Sequence, residues 1–326
     1  MPSSAVHKLS HRNTSGTGTE LVHDALPTRV HFGAGRSTDH LAHELIRLGT
    51  REVGLVSSPA HSHTIDEIID GLADRRIHAT ETVPDAPSPA GYAVAAIGGN
   101  AIIGRAKKVA HHIEAPLIVL PTTYSGAELD ARLLTAPSGH LARRSLATAV
   151  IYDPRLTRTL PVREAGLSLL AAVGNALEAL TETPAGSLAQ LIATQGLRQL
   201  SRSALDVIYD VQGLQGPASA QLGAYLAGAA AAICSTTTLI DATVAACEDG
   251  TPFQIARAAL VRRSAKSFAH QQPDAYRFLA QDLQVDVLVE HIVRASGLGP
   301  ELAQAQCSQK HSPHVAALGC RKPIAR

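Results

Sequence analysis

Tryptophan is missing from this 326-residue chain, and aromatic residues of any kind make up only 3% of it. With so few rings and an abundance of Ala and Leu, helical packing makes up much of the interior. An excess of charge of either sign is also missing: 29 basic residues face 28 acidic ones, with no run of like charges. That excludes the electrostatic footprint of a nucleic-acid binder. Long apolar runs are absent too. The best candidate, residues 226–233 (LAGAAAAI), is too short and too small-sided to span a bilayer, so no membrane partner is expected. Residues 1–20 hold no apolar signal core, and a cytoplasmic protein is the expectation. The four cysteines, Cys234, Cys247, Cys307 and Cys320, form no close CxxC pair and read as reduced thiols.

What is present is organised around residues 94–130, VAAIGGNAIIGRAKKVAHHIEAPLIVLPTTYSGAELD. An apolar run at 94–97 breaks at Gly98-Gly99-Asn100 into a segment of helical periodicity. A second apolar run at 117–120 ends at Pro121-Thr122-Thr123. The pattern is strand, glycine turn, helix, strand. Glycines at such a turn let backbone N–H groups approach a ligand, and the helix start behind them carries partial positive charge suited to a pyrophosphate. The second strand delivers the Thr122 and Thr123 hydroxyls to the carboxyl edge of the same sheet, where parallel α/β folds bind ligands. This is a dinucleotide or phosphate cradle; the alternative is an ordinary αβ turn, since Gly-Gly pairs are common.

Upstream, residues 1–25 are polar and read as a loosely ordered tail. A strand and glycine turn follow at 29–35, and a helix at 37–48 with Ser37 as its cap. A buried strand at 51–57 ends in Ser57 and Ser58, and a helix spans 64–74. Residues 77–83 read as another strand. Pro84, Pro87 and Pro89 then fill the connection, so the helix expected before residue 94 is largely missing. After a short strand and a turn at Pro137-Ser138-Gly139 comes a strand at 147–152. From Arg163 the signal is helical, at 164–180, 187–205, 218–240, 253–268 and 285–296. The expected organisation is a tail (1–25), an α/β nucleotide-binding domain (26–161), an all-helical domain (162–302) and a poorly ordered tail (303–326).

These motifs together resemble the iron-containing (group III) alcohol dehydrogenase superfamily, and its maleylacetate reductase branch most closely. The resemblance rests on FGAG (32–35), AIGGN (96–100), IGRAK (103–107), PTTYSGAE (121–128), VIYDPRLTRTLP (150–161), ALEAL (176–180) and GAYLAG (223–228). It implies an N-terminal Rossmann-like domain, a helical domain, NAD or NADP in the cleft between them, and a dimer. By position, Gly98, Gly99, Asn100 and Ala101 stand at the pyrophosphate turn. Asn100, a residue tolerant of left-handed backbone, and Ala101 replace the family's third glycine and its serine. Thr122, Thr123 and Ser125 stand on the nicotinamide side, and Ser57 and Ser58 where the adenosine ribose is met. No acidic residue sits there to grip a ribose diol, which leaves NAD against NADP open.

The family's metal ligands correspond to Ala171, Asn175, Ile240 and Gln254, none of them a good ligand for a divalent ion, so no metal is expected. Asn175 and Gln254 become candidates to orient a carbonyl, and Asp241 a candidate proton acceptor, alongside Glu178. The spacing Cys307-x3-His311-x2-His314-x5-Cys320 matches no common zinc module and reads as polar tail. His111-His112 suit a helix C-terminus, and Arg143-Arg144 a solvated surface. The expected function is a metal-independent NAD(P) oxidoreductase acting on a small alcohol or keto acid, or on a carrier-bound or peptide chain end. The alternative is an inactive relative serving as partner subunit or scaffold. A homodimer or a hetero-complex is the expected assembly.

Overall fold

The computed structural model describes residues 28–81, 91–130, 133–134, 141–142, 146–183, 186–210, 213–234, 238–247, 250–271 and 284–309. The expected tail at 1–25, the proline connection at 84–89, Arg143-Arg144, and His311, His314 and Cys320 lie outside them.

Six strands form one parallel sheet: β1 (Arg29–Phe32), β2 (Glu52–Val56), β3 (His78–Thr80), β4 (Tyr92–Gly98), β5 (Leu117–Pro121) and, after a two-stranded antiparallel ribbon β6 (Leu133–Leu134) and β7 (Leu141–Ala142), β8 (Ala149–Tyr152). Their order is β1-β8-β5-β4-β2-β3. The inner strands are apolar at nearly every position because both faces are covered, as parallel sheets require. Alternate residues take opposite faces. Ala95, Ile97, Ile118, Leu120 and Ile151 meet helices α1 (Ser37–Arg47) and α2 (Ser62–Ala73). Val94, Ala96, Val119 and Val150 meet helix α3 (Asn100–His112) on the other face, together with Ala229 from the helical half. His111 and His112 fall in the last turn of α3, as the dipole favours.

The helical half comprises α4 (Val162–Glu182), α5 (Leu188–Tyr209), α6 (Gln215–Cys234), α7 (Thr238–Ala246), α8 (Phe253–Gln271), α9 (Val285–Ala295) and α10 (Gly299–Gln309). Helix α4 is its axis: every residue from Ala165 to Leu180 is buried, so it carries no polar face and is wrapped by α5, α6, α8 and α9. No single helix among the described residues is long and apolar enough to cross a membrane.

Three expectations need correction. The span 218–240 is two helices, α6 and α7, rather than one. Helix α10 continues to Gln309, where a poorly patterned tail was expected from residue 303. Ser37 does not cap α1: it is the first helical residue, and its hydroxyl donates to Asp153 Oδ2 at 2.6 Å. Asp153 Oδ1 also accepts from Gly35 N and Arg155 N, each at 2.9 Å, so this one carboxylate fastens the β1–α1 turn to the end of β8.

Candidate active site

Strands β4 and β5 run side by side, with Gly98 opposite Pro121, so the glycine turn and the Thr122-Thr123 segment emerge together at the carboxyl edge of the sheet. The glycines are demanded by packing as well as by ligand approach. A Cβ on Gly98 would stand 2.7 Å from Ile102 Cβ, and one on Gly99 would stand 2.8 Å from Thr123 Cγ2. Gly99 is the N-cap of α3 with extended backbone, and no side chain caps that end, so its first-turn N–H groups face outward. Asn100 opens the helix with right-handed geometry; the left-handed role read from the sequence does not apply. Its side chain instead accepts a hydrogen bond from the Ser125 hydroxyl.

A cleft opens at this edge. From the sheet half it is lined by Gly99, Asn100, Ala101, Ile102, Thr123 and Ser125. From the helical half come Leu160, Glu164, Leu167, Ser168, Ala171, Phe253, Gln254 and Arg257. Thr123 and Ser125 present adjacent hydroxyls, 3.3 Å apart. Thr122 does not join them. Its hydroxyl lies 3.4 Å from His61 Nε2, in the turn after Ser57 and Ser58, and burial pulls His61 below its ordinary pKa, favouring the neutral ring. Ser57 and Ser58 lie outside the cleft lining, at the end of β2, where Arg105 of α3 donates to the Ser57 carbonyl at 3.1 Å.

The three catalytic candidates separate. Gln254 lines the cleft. Asn175 is buried and is a strut rather than a free carbonyl ligand: its Nδ2 donates to Ser125 O at 3.1 Å, and its Oδ1 accepts from Arg257 Nη2. Asp241 is exposed on α7 and does not line the cleft. Glu178 receives the Leu239 N–H at 3.0 Å and ties α7 to α4. Sequence reading missed His61 and Arg257. The signal for Arg257 was its position three residues beyond Gln254, on the same face of one helix.

Behind the cleft, Tyr152 donates to the wholly buried Glu128 at 2.6 Å, and no partner for Glu128 Oε2 occurs among the described residues. Burial pushes the Glu128 pKa up, against the opposing pull of the Tyr152 bond and Lys107. A carboxyl whose folded pKa exceeds its unfolded one holds a proton that the unfolded chain has released. Its contribution is therefore complete below the unfolded value and is lost as pH rises through the folded value. Glu128→Gln is accordingly expected to flatten the decline in melting temperature as pH rises above the ordinary carboxylate range. An equally steep decline in both proteins would contradict the protonated assignment.

Known proteins bear on this geometry. No family model matches the chain. Maleylacetate reductase from Pseudomonas sp. (strain P51) is 32% identical over 226 residues, an alignment covering 64% of this chain and 64% of that relative. An iron-containing alcohol dehydrogenase from Corynebacterium glutamicum superimposes with a TM-score of 0.74 at 21% identity, over 93% of this chain and 96% of its own. The chain thus resembles the maleylacetate reductases, spanning 64% of the length of the Pseudomonas relative, and shares the fold of the iron-containing alcohol dehydrogenases. Its fold is a Rossmann-like domain joined to a helical domain, as in those structures. Sulfoacetaldehyde reductase from Bifidobacterium kashiwanohense, solved in complex with NAD+, shares the fold at a TM-score of 0.72 and 16% identity, over 90% of this chain and 94% of its own.

The resemblance to iron-containing alcohol dehydrogenases implies a metal, and the residues here do not fit one. The corresponding positions offer the Ala171 methyl, the buried Ile240 side chain, and the amides of Asn175 and Gln254, with a guanidinium hydrogen-bonded to Asn175. Divalent ions of this class need imidazole, carboxylate or thiolate donors. Among the described residues, no three His, Cys, Asp or Glu side chains converge into such a group.

Proposed function

We propose that the protein is an NAD(P)-dependent oxidoreductase that interconverts a carbonyl compound and its alcohol without a metal ion. The observation that carries this reading is one cleft that gathers the uncapped start of α3 at Gly99 and the Thr123 and Ser125 hydroxyls, facing Gln254 and Arg257. The α3 start suits a pyrophosphate: its N–H groups and dipole favour anions, and Gly99 presents no Cβ. Thr123 and Ser125 are placed to orient a nicotinamide, and Leu160, Leu167 and Phe253 supply an apolar wall that thins water around it. A bound nicotinamide supplies hydride chemistry, so the protein needs to contribute position and electrostatics. The open cleft suits a small substrate or the end of a carrier-bound or peptide chain.

The end of β2 favours NADP over NAD in this reading. Arg105 lies beside Ser57, where a guanidinium matches a ribose 2′-phosphate and no carboxylate is present at Ser57 or Ser58 to grip a 2′-hydroxyl. Titration with NADPH and NADH, followed by nicotinamide fluorescence, is expected to give micromolar binding with NADPH about tenfold tighter, and Arg105→Ala is expected to erase the difference. Metal analysis of the same samples is expected to find no stoichiometric iron or zinc. Absence of binding by either nucleotide at millimolar concentration would favour a non-catalytic partner subunit.

A further inference from the structure

The helical wall of the cleft runs along one face of α4, through Glu164, Leu167, Ser168 and Ala171, at the spacing that sets side chains in line. Its two ends differ in depth and in charge. Ala171 is 6% exposed, and one turn beyond it Asn175 donates to the Ser125 carbonyl, so this end lies beside the hydroxyls that face the proposed nicotinamide. Glu164, in the first turn of α4, is 41% exposed and marks the rim, roughly 16 Å along the helix from Asn175. Arg163 donates to it at 3.3 Å, but the same guanidinium holds Glu301 of α10 through two bonds, at 3.0 and 2.6 Å. One cation is thus shared by two carboxylates, and the rim keeps a negative charge. Glu164 Oε2 accepts no hydrogen bond among the described residues.

We propose that Glu164 and Phe253 make this rim a subsite for an ammonium group, so that the substrate is an alcohol or aldehyde carrying a primary amine at its far end. The assignment rests on the nicotinamide reading above and adds a substrate class to it. Phe253 opens α8 and is half-buried in the same lining. A carboxylate and an aromatic ring in one lining both draw a cation, the first by its charge and the second by the negative face of its ring. Leu160 and Leu167 offer an apolar surface for the methylene chain between the two ends. Arg257, the cation of the lining, is hydrogen-bonded to Asn175 at the deep end. A second positive charge is disfavoured there, which directs the amine outward. The helix also sets the length of the substrate. Ala171 stands two turns from Glu164, so ~10 Å divides the reacting carbon from the nitrogen, the span of an extended chain of about eight carbons.

8-Amino-1-octanol, 1-octanol and 8-hydroxyoctanoate share one chain and differ at the far end. Calorimetric titration of the full-length protein with NADP+ present is expected to give the amino alcohol about fivefold tighter binding than octanol at low salt, and the hydroxy acid weaker binding than either. The preference is expected to shrink to within about twofold at ~0.5 M salt, because exposed charges are screened. Glu164→Gln is expected to remove it. Glu164→Lys is expected to reverse it in favour of the hydroxy acid, an inversion that a misfolded variant cannot produce. Equal affinity for the amino alcohol and octanol in the wild type, or a preference that Glu164→Gln leaves intact, would overturn the proposal, as would failure of all three to bind up to ~10 mM. Failure of NADPH and NADH to bind would remove the oxidoreductase reading instead, and titration without nucleotide would still decide whether the rim selects an ammonium group.

Discussion

Gly126→Ala is expected to lose about 3 kcal/mol of folding stability, a large share of the 5–15 kcal/mol that holds most domains together. Gly126 sits at φ +75°, in the left-handed region, where a side chain alone costs about 1–2 kcal/mol. The added Cβ would lie 2.7 Å from Asn175 Nδ2 and 3.3 Å from Gly228 Cα on α6. Neither neighbour yields easily. The amide is clamped between Ser125 and Arg257, and the α6 backbone is packed against the turn at Ala127–Leu129. Displacing Asn175 would leave buried polar groups without partners, at about 1–3 kcal/mol. Urea denaturation at neutral pH measures the change. A loss under about 1 kcal/mol would mean that the seam between sheet and helices is softer than its contacts indicate.

Gly99→Val is expected to weaken nicotinamide nucleotide binding at least a hundredfold, or about 3 kcal/mol, alongside a smaller loss of folding stability. Gly99 has φ −91°, which any residue tolerates, so the backbone is not the obstacle. The obstacle is space. The new Cβ would press on Thr123 Cγ2 from 2.8 Å, and the valine branches would rise into the approach to the α3 N–H groups. The same change therefore displaces a hydroxyl of the cleft and blocks its anion-binding end. Nicotinamide fluorescence, read beside a melting curve, separates the two effects. Unchanged affinity would place the nucleotide elsewhere.

The sheet was legible in the sequence because its inner strands are short apolar runs between turn residues, and residues 94–130 carry two of them around a glycine turn. The break between α6 and α7 was not, because the residues on both sides of it are small and apolar, with no periodic polar face to register a change of direction. Helix α10 was hidden for a related reason: its glutamines and alanines pattern weakly around a few buried anchors such as Leu302. Among the residues that line the cleft, motif position singled out Gly99, Asn100, Ala101, Thr123 and Ser125, but it misjudged Asn175, whose hydrogen bonding depends on a guanidinium 82 residues away. Arg257 itself reads as a solvated arginine among several on α8. Only the fold reveals that this one is turned inward.

The first strand among the described residues, β1, is an edge strand whose neighbour, β8, is one of the last elements of the sheet half to be made. Gly35 must likewise wait for Asp153, 118 residues downstream, before its N–H finds an acceptor. During synthesis the amino-terminal segment therefore leaves the ribosome with nothing to pair against, while β2, β3, β4 and β5 can already assemble beside one another. Pulsed hydrogen exchange during refolding should find the backbone amides of residues 29–32 among the last to be shielded, closing the sheet as a final stave closes a cask.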